Sequence, residues 1–104
     1  MRKITSESVK AFFSGRKLNK QNMEVRVNEY SGVTELYLHG NLIAKRILST
    51  VTLYDCGWLT TTTKERLNGL LDYMSESRIY QKKGVWYRGE KIEWVSGTTF
   101  ERNY

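Results

Sequence analysis

The chain has one cysteine, one histidine and no proline in 104 residues. A single thiol, Cys56, cannot close an intrachain disulfide, which argues against a secreted disulfide scaffold and suits a reducing compartment. A single imidazole, His39, has no Cys or His at ligand spacing, so no zinc or other metal centre is expected. Cys56 is a nucleophile only with a histidine nearby, and the plain reading of both residues is structural. There is no GxxxxGK[ST] loop, which leaves nucleotide hydrolysis without its phosphate cradle. Met1, Arg2 and Lys3 lead into a polar run, unlike a signal peptide, and no apolar run is long enough to span a bilayer. Linkers, low-complexity tracts and repeats are absent, so residues 1–104 read as one domain with a small core. With no catalytic constellation in view, neither an enzyme nor a cofactor is expected.

What is present is positive charge. Seventeen Lys and Arg face eleven Asp and Glu, for a formal charge of +6 and a pI near 9.6. The excess sits at the ends. Residues 1–20 hold six cations against Glu7 alone, and residues 77–104 hold six against three carboxylates, while the middle is neutral or acidic. If the ends meet in the fold, they make one basic face, with Arg2 to Lys20 beside the 82–91 segment. Such a balance favours polyanionic partners, nucleic acid first and an acidic protein surface second. It is also within the range that simply keeps a small domain soluble.

Hydrophobic spacing places the elements. Thr5 is set to cap a short helix carrying Val9, Phe12 and Phe13, which Gly15 stops. Residues 23–39 read as a hairpin turning at Ser31 and Gly32, with Met23, Val25, Val27, Leu36 and Leu38 on the inner face and Glu24, Arg26, Glu35, Tyr37 and His39 on the outer. Leu42 to Ile47 and Thr50 to Tyr54 follow as strands of poorer alternation, which a bulge or an edge position would explain. Thr62 and Glu65 form a capping-box pair, and Leu67, Leu70, Leu71 and Met74 make the buried stripe of a second helix. Two or three strands close the chain. The expected class is α+β: an antiparallel meander of about six strands with two helices packed on one face. Thr60 to Thr63, four threonines at a helix start, could hold an anion, but capping and strand termination account for most of the run.

Val85 to Trp94 is the richest stretch. A two-residue turn at Gly89 and Glu90 sets Trp86 opposite Glu93 and Arg88 opposite Lys91. Val85, Tyr87, Ile92 and Trp94 then face the core. Trp86, Arg88, Lys91 and Glu93 face outward, placing a large aromatic among cations. Single strands are held by stacking on aromatics and by cations along the backbone. The expected nucleic-acid contacts are Trp86 as the stacking platform with Tyr37 or Tyr80, and Arg88, Lys91, Lys82 and Lys83 on phosphates, supported by Arg16, Lys17 and Lys20.

Three stretches resemble small accessory proteins of tailed bacteriophages: LHGNLIA (38–44), GWLTTTTKERLN (57–68) and QKKGVWY (81–87). They span about a quarter of the chain and bring no assigned activity or catalytic residue. The resemblance implies a phage protein made in bacterial cytoplasm, of a kind that binds nucleic acid or disables a host protein. The expected function is low-specificity binding of nucleic acid, single-stranded DNA favoured. The alternative is inhibition or redirection of a host protein through the same Trp-and-Arg surface. A homo-oligomer is compatible with either.

Overall fold

A computed structural model describes residues 2–101. The order is α1 (Lys3–Ser14), β1 (Leu18–Lys20), β2 (Met23–Asn28), β3 (Val33–Leu38), β4 (Asn41–Ile47), β5 (Thr50–Leu53), α2 (Thr61–Tyr73), β6 (Ile79–Lys82), β7 (Val85–Arg88), β8 (Ile92–Glu93) and β9 (Thr98–Glu101). The class is the expected α+β. Strands β1 to β5 form an antiparallel meander, and β9 returns to pair with β5, completing a six-stranded sheet. The three strands between, β6-β7-β8, form a sheet of their own. No helix among the described residues is long and apolar enough to cross a membrane.

Gly15 ends α1 as its sequence requires: it sits at φ +66°, the left-handed region, and Arg16 N–H closes on the Ala11 carbonyl at 2.9 Å. Thr5 does not cap α1, which starts two residues earlier. The Thr5 hydroxyl is committed elsewhere, donating to Glu65 Oε1 at 2.5 Å and accepting from Arg66 Nη1 at 2.8 Å. The same interactions occupy Glu65, so α2 is capped by Thr60 instead, whose Oγ1 accepts from Thr63 N–H at 3.1 Å. Both departures have one cause: tertiary partners prevail over local capping.

The core is a single cluster. Leu67, Leu70, Leu71 and Met74 are buried with Val25, Leu36 and Leu38 of the sheet and Phe12 of α1, as the spacing predicts. The β2–β3 loop has four residues instead of two, because Asn28 Oδ1 takes the Tyr30 and Ser31 N–H groups and the Asn28 carbonyl takes that of Gly32. Val25 therefore pairs with Leu36, whereas a two-residue turn at Ser31 and Gly32 would set it against Leu38. This slip of two residues leaves every side chain on its expected face. In β4 a bulge opposite Leu36 and Tyr37 lets Ile43 and Ala44, consecutive residues, both point inward.

The small sheet is fixed to α2 by a side chain. Buried Asn68 donates through Nδ2 to the Ile79 carbonyl at 3.0 Å and accepts the Ile79 N–H at 2.6 Å, copying the hydrogen bonds of a neighbouring strand. Lys83 and Gly84, at φ +52° and +79°, make the two-residue turn that joins β6 to β7. The next loop is longer than expected. Gly89, Glu90 and Lys91 all lie between the paired residues Arg88 and Ile92, and Tyr87 pairs with Glu93. That is a slip of one residue, and it reverses β7 relative to the expected register.

Candidate functional site

The reversal decides which aromatics meet solvent. Trp86 is only 4% exposed; it belongs to the core with Trp94, whose N–H bonds the Trp86 carbonyl at 2.9 Å. Trp86 is thus not the outward platform that a two-residue turn implies. Arg88 turns inward with it. Its side chain lies 4.8 Å over the Phe100 ring, donates from Nε to the Ser77 carbonyl at 3.0 Å, and pairs with Glu76 at 3.3 Å. Arg88 is therefore committed within the fold and not offered to a phosphate.

The outer face of the small sheet carries a different aromatic pair. Tyr80 and Tyr87 are direct cross-strand partners, their rings 5.8 Å apart and inclined by 27°. The Tyr80 hydroxyl donates to the Gly89 carbonyl at 3.1 Å and accepts the Lys91 N–H at 3.2 Å, which pins the ring across the 89–91 loop. Around the pair stand Lys82 at the end of β6, Lys83 in the turn and Lys91 in the loop, all exposed. With Val85 they line a depression of about 570 Å³. None of the three lysines makes an ion pair among the described residues. Glu93, paired with Tyr87, is a carboxylate on this face.

Of the residues expected to touch nucleic acid, the structure brings Tyr80, Lys82, Lys83 and Lys91 together. It adds Tyr87, which the two-residue register assigns to the core. The signal that could have found it is Lys83-Gly84: read as a tight turn, it sets Tyr80 against Tyr87. Tyr37 lies on the other sheet, where the Arg26 guanidinium covers its ring at 4.3 Å. Burial, with Glu35 beside it, raises the Tyr37 phenol above its ordinary value. Lys20 pairs with Glu7 at 2.9 Å, and Lys17 borders a groove with Glu24 and Arg26. The segment holding Arg16, Lys17 and Lys20 follows α1, which packs on α2 and β1 to β3, whereas the small sheet meets α2 through β6.

A second cavity, about 410 Å³, opens between the β3–β4 turn and the start of α2. Leu38, Ile43 and Trp58 supply its apolar lining; His39, Asn41, Asp55 and Thr60, Thr62 and Thr63 supply its polar lining. The Thr60 and Thr63 hydroxyls lie 3.0 Å apart and serve the helix cap. Asp55 accepts from Trp94 Nε1 at 2.8 Å and from Gly57 N–H at 2.8 Å. His39 Nε2 lies 3.4 Å from Asn22 Nδ2. Cys56 donates to the Leu42 carbonyl at 2.8 Å, and burial together with Asp55 raises its thiol above the ordinary value. No group of three or more His, Cys, Asp and Glu among the described residues is placed to hold a metal ion.

The family described as Kyanoviridae Gp96 protein, a bacteriophage family, matches residues 1–101. No curated protein and no solved structure matches the chain.

Proposed function

We propose that this chain, which belongs to the Kyanoviridae Gp96 protein family, binds single-stranded nucleic acid with little sequence preference, single-stranded DNA in the first place, in the cytoplasm of the infected cell. One observation carries this reading: a stacked Tyr80–Tyr87 pair framed by three lysines that have no carboxylate partner among the described residues. Ring faces accept any base, and lysines track the phosphates, so the pairing of the two favours a strand over a folded protein surface. The +6 charge acts in the same direction by drawing polyanions to the chain.

Stacking and phosphate binding separate by their response to salt. Deleting one lysine that neutralises a phosphate of a single strand lowers the slope of log affinity against log salt by about 0.7. Lys82→Ala, Lys83→Ala and Lys91→Ala are each expected to reduce the slope by that amount in fluorescence-anisotropy titrations with a labelled oligonucleotide. Tyr80→Ala is expected to weaken binding by about 1–3 kcal/mol with the slope unchanged. Wild-type protein that shows no salt-sensitive oligonucleotide binding refutes the proposal, and a host protein becomes the target to seek.

A further inference from the structure

We infer that the second cavity holds one unpaired base of the bound strand, and that it favours bases whose edge sets an amino group beside a ring-nitrogen acceptor, as in cytosine and adenine. The inference rests on the nucleic-acid reading but concerns a different surface. The volume, about 410 Å³, suits a small planar ligand. Trp58, 58% exposed, is the tryptophan left uncovered by the core, and it lines this cavity together with the apolar side chains of Leu38 and Ile43. A large indole among apolar side chains is a setting for a flat ring.

Charge says which part of a nucleotide enters. Among the described residues no Lys or Arg lines the cavity, and Asp55 does. A phosphate inside would meet a carboxylate with no lysine or arginine beside it, so the backbone stays outside and the neutral base enters. The threonines offer little against this, because the Thr63 N–H is already taken by the Thr60 hydroxyl and the Thr60 and Thr63 hydroxyls bond each other.

The polar lining sets the preference. Each Asp55 oxygen accepts one hydrogen bond within the fold, and a carboxylate oxygen has a second lone pair. Asp55 can therefore take an amino N–H and opposes a carbonyl at the same position. The Asn41 side chain has no hydrogen-bond partner among the described residues and supplies both a donor and an acceptor. An amino group against Asp55 with its neighbouring ring nitrogen against Asn41 satisfies both residues. Uracil and thymine place a carbonyl where the amino group would be.

Free nucleosides test this without the lysine face, since they carry no phosphate. In NMR titrations of labelled protein, cytidine is expected to shift the Trp58 indole N–H and the Asn41 side-chain amide signals saturably. Uridine should bind about tenfold more weakly, in line with the discrimination one base interaction supplies. Trp58→Ala should weaken cytidine about tenfold, and Asn41→Ala should bring cytidine and uridine close to parity. Neither side chain supports the core, and unchanged urea midpoints verify that. Absence of a saturable shift at Trp58, while oligonucleotides still bind with salt dependence, overturns the base pocket and leaves the Tyr80–Tyr87 site standing. Absence of both overturns both. A blocked leucine amide that saturates the cavity more tightly than cytidine also overturns the pocket, and makes it a seat for a protein side chain.

Discussion

Trp86→Ala separates the two possible registers of the β7–β8 hairpin, because each assigns the indole a different task. Within the fold it is 4% exposed and part of the core cluster. Truncating a buried tryptophan to alanine costs about 3–5 kcal/mol, the transfer energy of the missing atoms plus the cavity left behind. A domain of this size holds about 5–15 kcal/mol in all, so the cost runs from about a fifth of the total to all of it. Its thermal midpoint should fall by on the order of 20 °C. Urea unfolding followed by far-UV circular dichroism reads the effect, with Trp86→Phe as a smaller truncation that should fall between. Tyr80→Ala is the counterpart. Tyr80 is 38% exposed and its ring packs on Tyr87 outside the core, so the substitution should cost about 1 kcal/mol of stability while weakening oligonucleotide binding. Folded Trp86→Ala, measured well below its midpoint, should bind oligonucleotides as the wild type does. The reverse pattern refutes the assignment: Trp86→Ala stable to within about 1 kcal/mol yet defective in binding, with Tyr80→Ala unaffected.

Asn68→Ala leaves the Ile79 N–H and carbonyl without partners in a buried site and should cost about 1–3 kcal/mol for each group not rescued by water, read as a lower urea midpoint; an unchanged midpoint would show that the small sheet does not depend on this clamp. Cys56, though at the surface, should alkylate with iodoacetamide at pH 8 more slowly than glutathione, since burial and Asp55 raise its thiol; an equal or faster rate contradicts that environment. The Lys20 hydrogen bond lowers Glu7, and the Arg26 hydrogen bond lowers Glu24, below the ordinary carboxylate value. Their folded pKa values lie under the unfolded ones, so the stabilisation is present above about pH 4.3 and is lost as pH falls through the lowered values. Glu7→Gln should accordingly flatten the acid limb of a stability-against-pH curve, and a limb of unchanged steepness would remove Glu7 from it.

The two hairpins show what a sequence can and cannot decide. In β2–β3 the loop is two residues longer than its Ser31-Gly32 signal implies, yet Met23, Val25, Leu36 and Leu38 still face the core. An even slip preserves the faces, and the pattern is one-sided: apolar residues inside, charges outside. Any register that buried the other set would bury Glu24, Arg26 and Glu35, so the hydrophobic pattern corrects an error in the turn. In β7–β8 the slip is odd and the pattern offers no correction. One face of β7 holds Val85 and Tyr87, the other Trp86 and Arg88, and each pair joins an aromatic to a residue that could lie in or out. Local sequence leaves the two orientations nearly balanced. What selects between them is remote: Phe100 on β9 receives the Arg88 guanidinium, Glu76 receives its charge, and the space beside Trp94 receives the Trp86 indole. None of these partners is adjacent in sequence, and β9 itself is legible only as one of the closing strands. The capping errors have the same origin, since Thr5 and Glu65 answer to each other across sixty residues instead of to their own helix starts. The lysines needed no such information, because Lys82, Lys83 and Lys91 lie at turns and strand ends where any register leaves them in water. The cationic half of the candidate site was therefore legible, and its aromatic half turned on one extra residue between Arg88 and Ile92.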